Sequence, residues 1–292
     1  MQTLTAPEAA EVRALAAAAQ AVDGSPPLSD QVLLHLTDPG EHLLVRAEGR
    51  LVGYAVVQDG TGELVVAPDA RRRGTGRALA AQLLALDPAL AVWAHGEHPA
   101  ATRIATGLGM QRVRVLHRLA RPLDAPLPPV ALPPGTTLRP FVVGQDERAW
   151  TEVNARAFAS HPEQGRWGVE EVLVREREPW FDPAGLLLAE RDGVLVGSHW
   201  TKVAPGADGV DEGEVYVVGV DPAAQGGGLG RALVLAGLHH LRDRGLARVV
   251  LYVDDDNTGA RALYDRLGFV TASTDVQWAA VHDTPGTAAR SI

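Results

Sequence analysis

The segment 214–220 is a predicted β-strand whose first residue, Glu214, is a carboxylate that can do acid–base chemistry. Tyr216 and Val218 follow it at alternate positions. Because side chains alternate between the two faces of a strand, we expect all three on one face. A carboxylate fixed there can bind an ammonium group and accept its proton. The alternative is a solvated glutamate at the start of a strand.

A second pair of candidates lies near the C-terminus. Asn257 and Tyr264 are seven residues apart, so a helix starting at Asn257 places them two turns apart on one face. A tyrosine hydroxyl in that position can donate a proton. The alternatives are that Asn257 is only the helix N-cap and that Tyr264 belongs to the core.

A glycine-rich turn, Gln225–Arg231, lies between these candidates, after a strand and before a helix. Glycine lets the backbone approach an anion closely, and the N-terminus of a helix favours negative charge. The turn therefore suits a pyrophosphate group. It does not fit a Rossmann dinucleotide fold, in which the glycine-rich turn belongs to the first strand–helix unit. Here the turn lies in the middle of the C-terminal half of the chain and follows strands that look antiparallel.

The chain reads as two halves built alike, separated by the proline-rich run Arg121–Pro134. Each half gives the same order of predicted elements: a helix, two strands, a strand with a glycine turn and helix, a further strand, and a short helix ending in a Leu-Gly corner. Ordered similarity over so many elements indicates a duplication. The matched pairs of predicted segments are Ala9–Ala21 with Glu147–Phe158, His42–Arg46 with Leu186–Glu190, Leu51–Val57 with Val194–Thr201, and Ala91–Ala94 with Arg248–Val253.

Composition narrows the possible functions. The 292 residues are 46% hydrophobic and 22% charged, as in a globular protein with a buried core. The net charge of −9 disfavours nucleic acid and anionic membranes as partners. Without cysteine there is no disulfide, thiolate metal site or cysteine nucleophile, and we expect no metal. With no signal peptide or membrane span in the sequence, we expect a cytoplasmic protein.

The arrangement resembles the GNAT acetyltransferase superfamily. The segment Val218–Gly230 matches its motif V-x-V-x-P-x-x-[QR]-x-x-G-x-[GA], and Leu64–Gly76 matches more loosely. The resemblance implies an α/β fold with two tandem GNAT domains, each a mixed α+β sheet splayed between its fourth and fifth strands. It also implies that acetyl-CoA enters the gap and is the cosubstrate.

The resemblance assigns catalytic roles in the C-terminal half. Glu214 would be the general base, the Val218 amide the donor to the thioester oxygen, and Tyr264 the general acid. The residues expected to hold acetyl-CoA are Leu64, Val65, Val66, Arg72, Arg73, Gly74, Thr75, Gly76 and Arg77 in the N-terminal half, and Val218, Gly219, Val220, Gln225, Gly226, Gly227, Gly228, Leu229, Gly230, Arg231, Asn257, Thr258, Gly259, Ala260, Arg261 and Ala262 in the C-terminal half.

The N-terminal half looks like a degenerate copy. Aligned on the glycine turns, Gly60 stands where the other half has Glu214. Aligned on the Leu-Gly corners, Ala105 replaces Tyr264 and His98 replaces Asn257. We therefore predict domains at 1–123 and 137–292 joined by a linker at 124–136, with catalysis confined to the second.

Longer strings resemble the actinobacterial tandem GNAT enzymes that complete mycothiol by acetylating the cysteinyl amine of Cys-GlcN-inositol. They include Trp93–Gly96, Trp180–Pro183 and Gly213–Gln225. The resemblance places Asp30, Glu163, Lys202, Glu214 and Tyr252 against this small-molecule acceptor. Another small amine as the acceptor, or a CoA-binding protein without turnover, remains as an alternative. We expect a monomer.

Lys202 is the only lysine among the 27 basic residues of the chain. This favours a site that requires a compact ammonium group rather than a planar guanidinium. Chance survival under an arginine bias is the alternative. Trp167 and Trp180 are expected to pack in the core rather than to stack on a ligand.

Overall fold

The computed structural model describes residues 3–58, 60–159, 164–206 and 209–280, except for the side chain of Asp30. The N-terminal half contains α1 Ala6–Asp23, α2 Asp30–Leu34, β1 Glu41–Ala47, β2 Arg50–Gln58, β3 Thr61–Val66, α3 Thr75–Leu86, β4 Ala91–Ala94, α4 Pro99–Gly107 and β5 Met110–Pro122. The C-terminal half contains β6 Thr136–Pro140, α5 Glu147–Ala157, α6 Val169–Arg175, β7 Leu186–Arg191, β8 Val194–Pro205, β9 Asp211–Val220, α7 Leu229–Asp243, β10 Arg248–Asp254, α8 Thr258–Arg266 and β11 Val270–Ala280.

The chain forms two compact units. The first holds the described residues up to His117, the short segment Asp254–Asp256, and the described residues from Ser273 onward. The second holds Arg118–Val253, as far as it is described, and Asn257–Ala272. The last part of β11 therefore belongs to the first unit, although it follows the second unit in the sequence.

The sheet of the first unit runs β1-β2-β3-β4-β11. Strands β1, β2 and β3 are antiparallel neighbours, β4 is parallel to β3, and β11 is antiparallel to β4. Val276 and Trp278 of β11 are buried with Leu83 and Met110 in one apolar cluster. The segment after Ser273 thus completes the core of this unit.

The second unit repeats the plan with strand order β6-β7-β8-β9-β10. Strands β6 to β9 are antiparallel, and β10 is parallel to β9. One apolar cluster is built around Val234, Leu238 and Leu241 of α7, and a second around Trp150 and Trp200. The predicted helices and strands of both halves are present, and the predicted mixed α/β fold is confirmed.

The proline-rich segment packs on the second unit. Leu123 is buried in the α7 cluster, where its N–H donates to the Ala247 carbonyl at 2.8 Å. Leu127 packs against the same cluster, and His239 Nε2 lies 2.9 Å from the Pro128 carbonyl oxygen. The segment is extended, as proline content requires, yet it is fixed along the surface of the unit it precedes.

No helix in the described part of the chain is both long enough and apolar enough to cross a membrane. Within the same residues, no group of three His, Asp or Glu side chains is placed to hold a metal ion.

Candidate active site

In the second unit, β9 and β10 pair over a short distance and then separate. The parallel ladder joins Gly213 to Val249 and Glu214 to Val250, and then stops. Beyond Glu214, β9 is paired only on its other side, with β8. Glu214 therefore lies at the point where the gap opens. This is the splay that the sequence predicted between the fourth and fifth strands of a GNAT sheet.

A β-bulge interrupts the pairing of β8 with β9 near this point. Trp200 lies opposite Val217, but the next residue, Thr201, lies opposite Val215. Tyr216 is the extra residue on β9, without a counterpart on β8. Such a bulge places two consecutive side chains on the same face of the sheet.

The bulge corrects one prediction. Glu214, Tyr216 and Val218 do not share a face, although simple alternation requires it. Tyr216 and Val217 both contact the cluster around Trp200, whereas Val218 packs against the clusters on the α7 side. The extra residue shifts the alternation by one, so the strand presents Glu214 and Tyr216 on one face and Val218 on the other.

Glu214 and Lys202 form an ion pair across β8 and β9. The two residues are direct partners in the ladder, and Lys202 Nζ lies 3.9 Å from Glu214 Oε2. Their side chains are 27% and 20% exposed, so both charges are partly shielded yet reachable from solvent. The ammonium also lies 5.2 Å from the ring centroid of Trp180 and 5.4 Å from that of Tyr216.

Tyr264 is buried at 6% exposure in the α7 cluster, where its ring meets Phe269 edge-on at 5.6 Å. No hydrogen bond to its hydroxyl is formed by the residues that the structure describes. Burial raises the pKa of Tyr264 to about 12, so the phenol keeps its proton at neutral pH. Asn257 is the N-cap of α8, and its Oδ1 accepts from the Ala260 N–H at 3.2 Å. The capping role proposed as the alternative for Asn257 is therefore real.

The remaining acceptor candidates are placed differently. Tyr252 lies on β10 and is 50% exposed, which excludes the core role considered from the sequence. It hydrogen-bonds to Arg118, whose pKa is lowered by burial but raised overall by its bonds to Glu212 and Tyr252. Asp30 is the first residue of α2, and its side chain lies outside the described atoms. Glu163 also lies outside the described residues.

The glycine turn of the second unit leaves the start of α7 open. Gly226 and Gly228 have φ of +87° and +84°, a region that only glycine adopts without strain. Gly228 is the N-cap of α7 and no side chain caps this helix. Gln225 fixes the turn by donating from Nε2 to the Val220 carbonyl at 3.2 Å. Uncapped backbone N–H groups pointing out of a helix N-terminus are suited to phosphate oxygens.

The first unit repeats this arrangement. Its parallel ladder joins β3 and β4 only at Thr61–Ala91 and Gly62–Val92, so the same splay is present. Gly74 is the uncapped N-cap of α3, with φ of +89°. Arg72 has φ of +60° at the position of Gly226.

One residue of this turn was missed from the sequence. Arg71 occupies the position of Gln225, and its Nε donates to the Val66 carbonyl at 3.1 Å. Its two terminal nitrogens also bind the Asp23 carboxylate, each at 2.7 Å. The motif position, which accepts Gln or Arg, was the signal that could have identified it.

The ladder also corrects the alignment of the two halves. Gly53 pairs with Val66 in the first unit, and Gly197 pairs with Val220 in the second. Five residues after each glycine, Gln58 pairs with Thr61 and Lys202 pairs with Glu214. The first unit has no bulge here. Thr61, rather than Gly60, therefore occupies the Glu214 position. Neither residue can act as a base.

The first unit lacks a counterpart of Glu214, but it contains a largely buried cluster of charged side chains: His95, Glu63 and Asp275. His95 Nδ1 lies 3.0 Å from Asp275 of β11, and His95 Nε2 lies 3.6 Å from Glu63 of β3. The Ser29 N–H donates to Glu63 at 2.7 Å. Burial alone would lower the pKa of His95, but the two carboxylates outweigh it and raise the pKa to about 9.

This cluster predicts a pH-dependent stability for the first unit. A raised pKa stabilises the folded state fully below about pH 6.5, and the contribution disappears as the pH rises through about 9. A shift of this size corresponds to on the order of 3 kcal/mol. We expect Asp275→Asn to remove most of that pH dependence in thermal unfolding followed from pH 6 to pH 10.

The matched control is Asp38→Asn, which breaks the exposed His35–Asp38 pair on the same unit. Exposed pairs contribute little, so its pH dependence should equal that of the parent chain. Equal profiles for Asp275→Asn and the parent would show that the His95 cluster does not stabilise the fold.

The comparisons with known proteins agree with this geometry. The acetyltransferase (GNAT) family model matches residues 10–103 and 150–269. A mycothiol acetyltransferase of Thermomonospora curvata is 55% identical over 94% of each chain. One from Salinispora tropica is 52% identical, again over 94% of each chain.

Solved structures give the same result. A GCN5-related N-acetyltransferase from Sphaerobacter thermophilus is 28% identical over 95% of this chain and 93% of its own, with a TM-score of 0.73. A tandem GNAT protein from the clavulanic acid pathway shares the fold, with a TM-score of 0.67 over 95% and 96% of the two chains at 21% identity. This chain therefore belongs to the GNAT family of acetyl-CoA-dependent N-acetyltransferases, in the group whose curated members are named mycothiol acetyltransferase.

Proposed function

We propose that the second unit transfers the acetyl group of acetyl-CoA to the cysteinyl amine of Cys-GlcN-inositol, the final step of mycothiol biosynthesis. The observation that carries the proposal is the Glu214–Lys202 ion pair at the opening of the β9–β10 splay. The relatives support the proposal, since those 48–55% identical over nearly the whole chain are named mycothiol acetyltransferase.

Acetyl-CoA supplies the thioester that the amine attacks. The open N-terminus of α7, at Gly228 and the residues after it, would bind its pyrophosphate through backbone N–H groups. The strand segment Val218–Val220, which borders the splay, would pair with the pantetheine arm, by similarity to the family. The start of α8, from Asn257 to Ala262, would face the same cofactor.

Three groups of the chain then act on the reacting atoms. Glu214 accepts a proton from the ammonium of the acceptor, which frees the amine to attack. The N–H of Val218 donates to the thioester oxygen as negative charge develops there. Tyr264 donates its phenol proton to the departing thiolate of CoA. Its raised pKa means that the phenol is protonated before this step.

The acceptor would be held by charged groups around Glu214. The Lys202 ammonium can donate to hydroxyl or amide oxygens of the sugar and inositol. Tyr252, half exposed on β10, would contact the acceptor through its hydroxyl, by similarity to the family. Asp30 and Glu163 remain proposals from family similarity alone.

A direct assay tests the proposal. The purified chain is incubated with acetyl-CoA and Cys-GlcN-inositol while CoA release and the mass of the product are followed. Acetylation at the cysteinyl amine is expected. CoA release only with other small amines would favour a different acceptor, and acetyl-CoA binding without turnover would favour a CoA-binding protein.

We further propose that the first unit does not catalyse. It keeps the open glycine turn and the splay, but Thr61 and Ala105 replace the base and the acid. The residues Leu64–Val66 and Arg72–Arg77 leave it able to bind acetyl-CoA. We propose a cytoplasmic monomer, since acetyl-CoA is an intracellular metabolite, and sedimentation of the purified chain checks the oligomeric state.

A substitution at Lys202 tests the acceptor site. Lys202→Arg keeps the positive charge but replaces a compact ammonium by a planar guanidinium. We expect kcat/KM for the acceptor to fall roughly 5- to 150-fold, equivalent to about 1–3 kcal/mol, because one charged hydrogen bond is lost. The KM for acetyl-CoA should stay unchanged. Unchanged constants for both substrates would remove Lys202 from the acceptor site.

A further inference from the structure

The ammonium of Lys202 is enclosed on several sides. The rings of Trp180 and Tyr216 lie 5.2 and 5.4 Å from Nζ, and the Glu214 carboxylate lies 3.9 Å away. A lysine side chain has about 2 kcal/mol of rotamer entropy to lose, so holding its end group in one place requires such partners. Aromatic faces within about 6 Å attract a cation without occupying its N–H donors.

The two rings are themselves fixed. Trp180 meets Tyr216 edge-on at 5.1 Å and packs against Trp200 at 6.0 Å. The Tyr216 hydroxyl accepts from Arg175 Nε at 2.9 Å, and the Arg175 guanidinium lies 3.8 Å from the ring of Trp167. These contacts connect α6 to the bulge of β9.

The bulge explains why Tyr216 can contribute. As the extra residue of β9 it shares a face with Glu214, and this face is also that of Lys202 and Trp200 on β8. Trp180 covers this group from the loop before β7. Lys202 on β8 is thus surrounded by side chains from two other segments of the second unit, β9 and the loop before β7.

We propose that Trp180 and Tyr216 are positioning residues for the acceptor, acting through Lys202. Their rings hold the ammonium beside Glu214, so that the acceptor meets the two opposite charges in a fixed arrangement. This inference depends on the proposed function, because it assumes that Lys202 binds the acceptor. It assigns Trp180 a role other than the core packing expected from the sequence.

A double-mutant cycle tests the inference. Trp180→Leu removes the π face and should raise the KM for the acceptor by roughly 3- to 30-fold, with the KM for acetyl-CoA unchanged. Trp180→Phe keeps an aromatic face and should restore most of the affinity. In a Lys202→Met background, Trp180→Leu should add less than about twofold, because the group it positions is absent.

Phe181→Leu is the matched control. Phe181 packs edge-on against Trp200 at 5.7 Å, in the same cluster, but is not among the rings that face Lys202. It should lower the melting temperature as Trp180→Leu does and leave the acceptor KM unchanged. If Trp180→Leu is too unstable to measure, Tyr216→Leu, which removes the other ring beside Lys202, takes its place in the cycle.

The outcomes separate the two proposals. Independent, additive effects of Trp180→Leu and Lys202→Met would overturn the positioning role while leaving Lys202 in the acceptor site. An unchanged acceptor KM in Lys202→Met alone would instead overturn the acceptor contact on which the proposed function relies.

Discussion

Replacing Glu214 by glutamine is expected to lower kcat by about 10²–10⁴-fold at neutral pH. The carboxylate stands at the opening of the splay and beside the only lysine of the chain. Glutamine has nearly the same shape but cannot accept the ammonium proton. The affinity for acetyl-CoA should stay the same, because the cofactor is expected along Val218–Arg231. Steady-state kinetics and a binding titration measure both quantities.

Asp211→Asn is a suitable control for this variant. Asp211 is an exposed carboxylate at the start of the same strand, and it changes the net charge by the same amount. It should leave kcat unaltered. The residual rate of Glu214→Gln also bounds any turnover by the first unit. A near-normal kcat in that variant would mean either that Glu214 is not the base or that catalysis does not occur in the second unit.

Tyr264→Phe is expected to lower kcat by about 10²-fold or more, since it removes the only proton donor proposed for the CoA sulfur. The ring contact with Phe269 is kept, and the hydroxyl has no partner among the described residues. Folding stability should therefore change little. With a pKa of about 12, the phenol should give no alkaline fall in kcat below about pH 11.

Thermal unfolding and a pH–rate profile distinguish the possibilities for Tyr264. A large loss of melting temperature with normal turnover would show that the hydroxyl has a structural role only. An alkaline fall in kcat below about pH 11 in the parent chain that disappears in Tyr264→Phe would contradict the raised pKa of this phenol.

The helices and strands that local sequence patterns predicted are present in the structure. Residues 51–57 and 194–201 are mostly apolar and are bounded by turns with glycine and charged residues. Each segment is therefore recognisable as a strand from its own sequence. The splay of both units was expected only through the resemblance to the GNAT superfamily, which the glycine-turn motifs carried.

The bulge at Tyr216 could not be predicted in the same way. Its cause is the register between β8 and β9, and nothing in 211–220 read alone reveals an extra residue. Alternation therefore placed Val218 on the wrong face. Counting back from the glycine turns matched Glu214 to Gly60 instead of Thr61, because the count did not include the extra residue. The aromatic rings beside Lys202 could not be predicted either, because Trp180 and Tyr216 are far apart in the sequence and come together only in the folded chain.

The first unit depends on Val276 and Trp278, which share a buried cluster with Leu83 and Met110. Synthesis proceeds from the N-terminus, so a nascent chain exposes this incomplete core until residues beyond the whole second unit have left the ribosome. A cut between the halves would likewise leave β4 with an unpaired edge. The duplicated halves are therefore no longer separable modules, because the earlier one finishes folding only when the later one has been made.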